Sequence, residues 1–117
     1  VAGLFGFLGV ASGAFAAHAL KARLSPEALD WLHIASSYWL FHAPVLLGLS
    51  LLLARRASRY FAVAAWGLTL GGLLFSGSLA LMALTGLRAL AFVTPVGGTL
   101  LLLGWAGLAA GAVALRR

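Results

Sequence analysis

All ten charged residues of this chain, eight basic and two acidic, fall into four short clusters, and the stretches between them carry no ionised side chain. The clusters run from Lys21 to Asp30 and from Arg55 to Arg59, with Arg88 alone and Arg116 beside Arg117. They leave four apolar stretches: Val1 to Leu20, Trp31 to Ala54, Tyr60 to Leu87, and Ala89 to Leu115. A helix needs about 20 apolar residues to cross the hydrocarbon layer, because each residue advances only about 1.5 Å. Each stretch is long enough. The sequence therefore predicts an all-α integral membrane protein, a four-transmembrane-helix bundle forming one domain over 1–117, with helices at about 1–20, 26–54, 60–85 and 95–115.

Composition closes off the soluble alternatives. Hydrophobic residues make up 63% of the chain and charged residues 9%, against about 25% charged in soluble domains. Four helices this apolar would leave no polar surface to face water. The net charge of +6 does not imply a nucleic-acid partner, since the cations sit at the ends of apolar runs instead of along one solvated face. In those positions they anchor helix ends and meet lipid headgroups. With no cysteine, disulfides, thiolate nucleophiles and iron–sulfur ligation are excluded. Ala14-Phe15-Ala16 has the small-x-small look of a signal-peptide cleavage site, but no basic region precedes it, so the segment is expected to be retained.

With four spans, Arg55, Arg56, Arg59, Arg116 and Arg117 share one side, and Lys21, Arg23 and Arg88 the other. Lys and Arg favour the cytoplasm, which predicts a multi-pass protein of the inner membrane with both termini cytoplasmic. Ser25-Pro26-Glu27 reads as an N-cap, a proline at the first helical position and an acid at the positive end of the helix dipole. Thr94-Pro95 repeats that signal for the fourth helix, and Thr85-Gly86 should end the third. Pro44 removes the hydrogen bond to the Leu40 carbonyl and should kink the second helix beside His42. Small residues recur at spacing four: Gly9, Gly13 and Ala17; Gly67 and Gly71, then Gly72, Ser76 and Ala80; Gly107 and Gly111, with Ala106 and Ala110. Such stripes let backbones approach closely in lipid and predict a compact bundle.

Polar side chains at depth are costly and therefore informative. Trp31, Ala35, Tyr38 and His42 share a face of the second helix, while His33 belongs to another. Taking helix directions into account, His18, Lys21, Tyr38, His42, Ser76, Ser78 and Thr94 are expected to form one polar layer in the outer half of the membrane. The inner half offers only Ser12, Ser50 and Thr69, well separated in sequence. The plainer reading of the layer is an interhelical hydrogen-bond network, worth about 0.6 kcal/mol per bond. The sharper reading is a binding site.

The stretch Gly13-Ala14-Phe15-Ala16-Ala17-His18-Ala19-Leu20-Lys21, followed by Tyr38 and His42-Ala43, resembles a small four-helix membrane family. Phe75-Ser76-Gly77-Ser78-Leu79, Thr94-Pro95-Val96-Gly97-Gly98 and Gly104-Trp105 match its later motifs. It is the domain-of-unknown-function family four-two-three, with bacterial inner-membrane members and eukaryotic small transmembrane relatives. The resemblance covers nearly the whole chain and implies a four-helix membrane protein, without an activity, ligand or catalytic residue. The chain departs from the pattern at Ala16, where the family usually has Gly, at Trp39, usually Gln, and at Ala80, usually Tyr.

Three functions compete. The first is a non-catalytic structural or accessory bundle contacting membrane lipids, self-associating or docked on a larger complex. The second is an oligomeric carrier or channel for a small solute or protons, which needs polar groups across the full thickness. The third is a haem or metal protein using His18 and His42. Those two histidines should sit more than a helical turn apart in depth, and no carboxylate lies inside the membrane to orient either. The expectation is the first function, with no enzyme activity, no catalytic residues, no metal and no cofactor.

Overall fold

The computed structural model describes residues 1–116. Arg117, counted above in the terminal basic pair, lies outside the described residues. The chain forms four α-helices: α1 (Ala2–Ala17), α2 (Pro26–Arg55), α3 (Arg59–Thr85) and α4 (Thr94–Leu115). A 3₁₀ helix, Arg88–Phe92, leads into α4. Among the described residues there is no strand, in agreement with the all-α reading. In lipid the backbone must satisfy its own hydrogen bonds, and helices do this within each segment. Three of the helices are long and apolar enough to cross a membrane. The fourth, α1, is apolar but has only 16 residues.

Helix α1 stops three residues short of the expected Leu20. The His18 N–H still reaches the Ala14 carbonyl at 3.1 Å, but the Leu20 N–H bonds the Phe15 carbonyl at 2.8 Å and closes a wider turn. At the start of α2 the Ser25 hydroxyl accepts the Ala28 N–H at 3.1 Å, and Pro26 occupies the first turn. Gly86 ends α3 at φ +73°, the left-handed conformation that glycine adopts without Cβ strain. Thr94 does not cap α4. The 3₁₀ turn runs straight into the helix with Val93 already right-handed, so the Thr94 hydroxyl is released for another partner.

Packing follows chain order: α1 against α2, α2 against α3, and α3 against α4. Helix α3 is central and has the most buried apolar window, 50% against 22% for α2. The Phe5 ring of α1 also reaches α3, filling the space above Gly72. Between α1 and α2 the Ser36 hydroxyl donates to the Gly9 carbonyl at 2.6 Å. Between α3 and α4 the backbones themselves meet. A Cβ on Gly104 would lie 2.8 Å from the Leu68 nitrogen, and one on Gly97 would overlap the Phe75 amide. The Cα envelope measures 53 × 25 × 16 Å, long and thin, as suits helices arranged in sequence and bathed in lipid.

Candidate functional site

The polar residues are sorted onto two levels instead of one. The middle level is centred on His42, buried on the inner face of α2. Its Nδ1 lies 2.6 Å from the Tyr38 carbonyl, and the Trp105 indole Nε1–H of α4 points at its Nε2 at 3.0 Å. An indole N–H can only donate, and a carbonyl can only accept. Nε2 must therefore carry the lone pair and Nδ1 the proton. The ring is held as one neutral tautomer with both nitrogens engaged. Tyr38 stacks on it at 6.0 Å between ring centroids, and Phe75 of α3 packs on Tyr38 at 4.5 Å. The carbonyl freed by Pro44, that of Leu40, is not the one His42 uses. A helical side chain leans back over the preceding turn, which brings Tyr38 into reach.

The second level is the pair Ser78 and Thr94, whose hydroxyls lie 2.6 Å apart and tie α3 to the start of α4. Ser78 can also donate to the Phe75 carbonyl at 2.9 Å. Eleven residues of α4 separate Thr94 from Trp105, about 16 Å along the axis. That rise sets the α4 partners of His42 and Ser78 at different heights along the helix. Ser76 is completely buried on α3, but its hydroxyl has no hydrogen-bond partner among the described residues. His18 and Lys21 stay out of the cluster: both are exposed on the turn after α1, and neither makes a side-chain hydrogen bond among the described residues. The early closure of α1 leaves them outside the helical stack. His33 is exposed as well.

A cleft of about 480 Å³ opens beside His42. It runs along α4 from Pro95 past Gly98, Thr99 and Leu102 to Trp105, and Tyr38, His42 and Phe75 form its opposite wall. The lining is mainly hydrocarbon. The Thr99 hydroxyl bonds its own helix at Pro95, 2.8 Å away, and Tyr38 is 38% exposed. A second cleft of about 400 Å³, nearer the chain's first residues, brings Ser50 and Thr69 to one wall beside Val1 and Ala2. These two polar residues are thus neighbours in space although far apart in sequence. The clefts share no lining residue; one is walled by α4 and the other by α1. Among the described residues no three His, Cys, Asp or Glu side chains gather in metal-binding geometry.

Trp105 and Ser36 carry the interhelical bonds that reading polar residues by depth overlooked. Trp105 had a signal, since a tryptophan N–H within an apolar span needs an acceptor. Of the three departures noted in the sequence, Trp39 and Ala80 line one cleft of about 200 Å³ against α1; Ala16 is buried but does not line it. Trp39 does not simply remove a polar group, because its indole N–H is buried without a partner among the described residues.

Comparisons with known proteins cover most of the chain. The profile of a family described as a protein of unknown function (DUF423) matches residues 12–98. The chain is 44% identical over 116 residues to the UPF0382 inner membrane protein YgdD of Escherichia coli K12, covering 99% of this chain and 88% of that protein. It is 41% identical over 108 residues to a UPF0382 membrane protein of Haemophilus influenzae, covering 92% and 86%. It is 38% identical over 98 residues to the UPF0382 membrane protein SERP0230 of Staphylococcus epidermidis, covering 84% and 80%. No solved structure matches the chain.

Proposed function

This chain belongs to the DUF423 family of membrane proteins, and from that premise we propose that it is a non-catalytic accessory bundle of the inner membrane. In this reading its cleft beside His42 takes up a lipid chain from the bilayer. The observation that carries the reading is the engagement of both His42 nitrogens, by the Tyr38 carbonyl and the Trp105 N–H. A histidine poised for proton transfer or ligation needs a nitrogen free for the reacting group. This one is a strut between α2 and α4. The cleft it borders is elongated, apolar and lateral, which suits an acyl chain better than a water-soluble molecule. Conduction through one protomer would have to connect two clefts without a shared lining residue. A haem between His18 and His42 would need the exposed turn after α1 to reach the middle of the bundle.

Protein released from membranes in mild detergent is expected to travel as a particle heavier than its 12.1 kDa polypeptide, retaining lipid or a partner protein. Native mass spectrometry reads this directly. A bare monomer, or liposomes made solute-permeable by the wild-type protein and not by His42→Ala, would defeat the accessory reading.

The orientation forms part of the same proposal. Arg55, Arg56, Arg59 and Arg116 gather at the end of the bundle where α2 and α4 finish and α3 begins, and the positive-inside rule puts that end in the cytoplasm. Reporters fused after Leu115 and within the turn at Ala89 should give cytoplasmic and periplasmic signals respectively. The reverse pattern would overturn this orientation.

A further inference from the structure

We propose that the arginine-rich end of the bundle binds one anionic phospholipid, with its phosphodiester between Arg56 and Arg59 and an acyl chain along an adjoining groove on α4. This site is separate from the His42 cleft and stands whatever that cleft contains.

The α2–α3 connection is only Arg56, Ala57 and Ser58 long. It holds Arg56 in extended conformation at the end of α2 and places Arg59 at the start of α3. Between this connection and the last turns of α4 lies a pocket of about 230 Å³, with Arg56, Ser58, Arg59 and Tyr60 on one wall and Gly111 and Ala114 on the other. The Arg59 guanidinium lies 5.2 Å from the centre of the Tyr60 ring and donates to its hydroxyl at 3.5 Å. Tyr60 thereby accepts from Arg59 and keeps its own proton to donate. The Ser58 hydroxyl is occupied by the Phe61 N–H.

Charge is unbalanced here. Both acidic residues of the chain, Glu27 and Asp30, belong to the first turns of α2, at the far end of that helix. The ion pair found among the described residues, Arg88 with Glu27 at 3.3 Å, is at that far end too. Arg55, Arg56 and Arg59 therefore sit within one short turn with no carboxylate among the described residues to neutralise them. Like charges so placed repel, and a phosphate, which accepts several hydrogen bonds from guanidinium groups, removes the repulsion.

The second observation identifies the anion as a lipid. A groove of about 380 Å³ lined by Tyr60, Ala110, Val113 and Ala114 shares Tyr60 and Ala114 with the arginine pocket. A cationic pocket leading into an apolar groove fits an amphiphile with an anionic head. The pocket alone is smaller than the roughly 300–1,000 Å³ of sites that enclose a whole small molecule. Its size suits a headgroup whose chains remain in the bilayer.

The test is native mass spectrometry of the detergent-solubilised chain titrated separately with phosphatidylglycerol, phosphatidylcholine and inorganic phosphate. The wild type is expected to retain one phosphatidylglycerol in preference to phosphatidylcholine. Each arginine near the membrane surface contributes about fivefold, so Arg56→Gln with Arg59→Gln should weaken retention roughly 25-fold. Lys21→Gln with Arg23→Gln removes the same charge at the other end and should leave retention unchanged. Arg56→Lys with Arg59→Lys, which keeps the charge and loses the planar fork, should fall between the two and guards against a glutamine variant that fails to fold. Equal retention of the two lipids by the wild type, equal losses in the two charge-removing variants, or inorganic phosphate binding as tightly as phosphatidylglycerol would overturn the proposal.

Discussion

Gly97→Ala is expected to loosen α4 from α3 and to destabilise the protein by the upper part of the roughly 1–3 kcal/mol typical of overpacking. The added methyl group would overlap the backbone amide of Phe75, and backbone cannot turn aside as a flexible side chain can. The two helices would have to separate, losing the dispersion contacts that hold helices together where lipid competes equally for apolar surface. Gly98→Ala is the control: its Cβ would meet only the Phe75 ring, at 3.7 Å, an ordinary contact. Unfolding midpoints in detergent micelles compare the two. Equal midpoints would mean that α3 and α4 do not pack backbone to backbone.

Breaking the His42–Trp105 contact from either side should come next in size. His42→Ala leaves the Trp105 N–H without its acceptor in a medium that offers no water, at a cost of roughly 1–3 kcal/mol. Trp105→Phe keeps an aromatic ring and removes the donor, leaving Nε2 unpaired. The double variant should lose less than the two single losses combined, with a coupling of about 0.6–1.7 kcal/mol, from the average to the maximum measured for hydrogen bonds in a membrane protein. Nitrogen NMR of the wild type should show His42 protonated at Nδ1 and bare at Nε2. Strict additivity, or the opposite tautomer, would remove the strut that the proposed function relies on.

Residue types and spacing made the helices legible. Ser25 and Pro26 announced the start of α2, and Gly86 announced the end of α3, because caps depend on one or two side chains and their local conformation. Thr94-Pro95 carried the same local signal and was put to another use. The turn before it was already helical, and Ser78 offered its hydroxyl a partner that a one-dimensional reading cannot see. His18 was misplaced for a related reason. Apolar residues continue to Leu20, but the bond from Leu20 to Phe15 turns the chain early.

The polar layer shows the same limit more sharply. Counting along each helix gives depth but not rotation or neighbours. Tyr38 and His42 could be placed on one face of α2, but nothing in the sequence gave the angle at which α4 presents Trp105. That angle follows from the close approach at Gly67, Gly97 and Gly104, where α3 and α4 touch through their backbones.

By itself the sequence determined that the chain is a helical membrane protein, because the cost of ionised groups in hydrocarbon confines them to the boundaries wherever the chain folds. It also determined where two of the helices begin or end, through caps. Tertiary structure alone decided which polar groups meet, that both His42 nitrogens find partners, and that the arginine turn adjoins a groove on α4. Burial cost acts on each residue separately and can be read along a line. Partner choice depends on rotation and distance between helices, which packing fixes only when all four are in place.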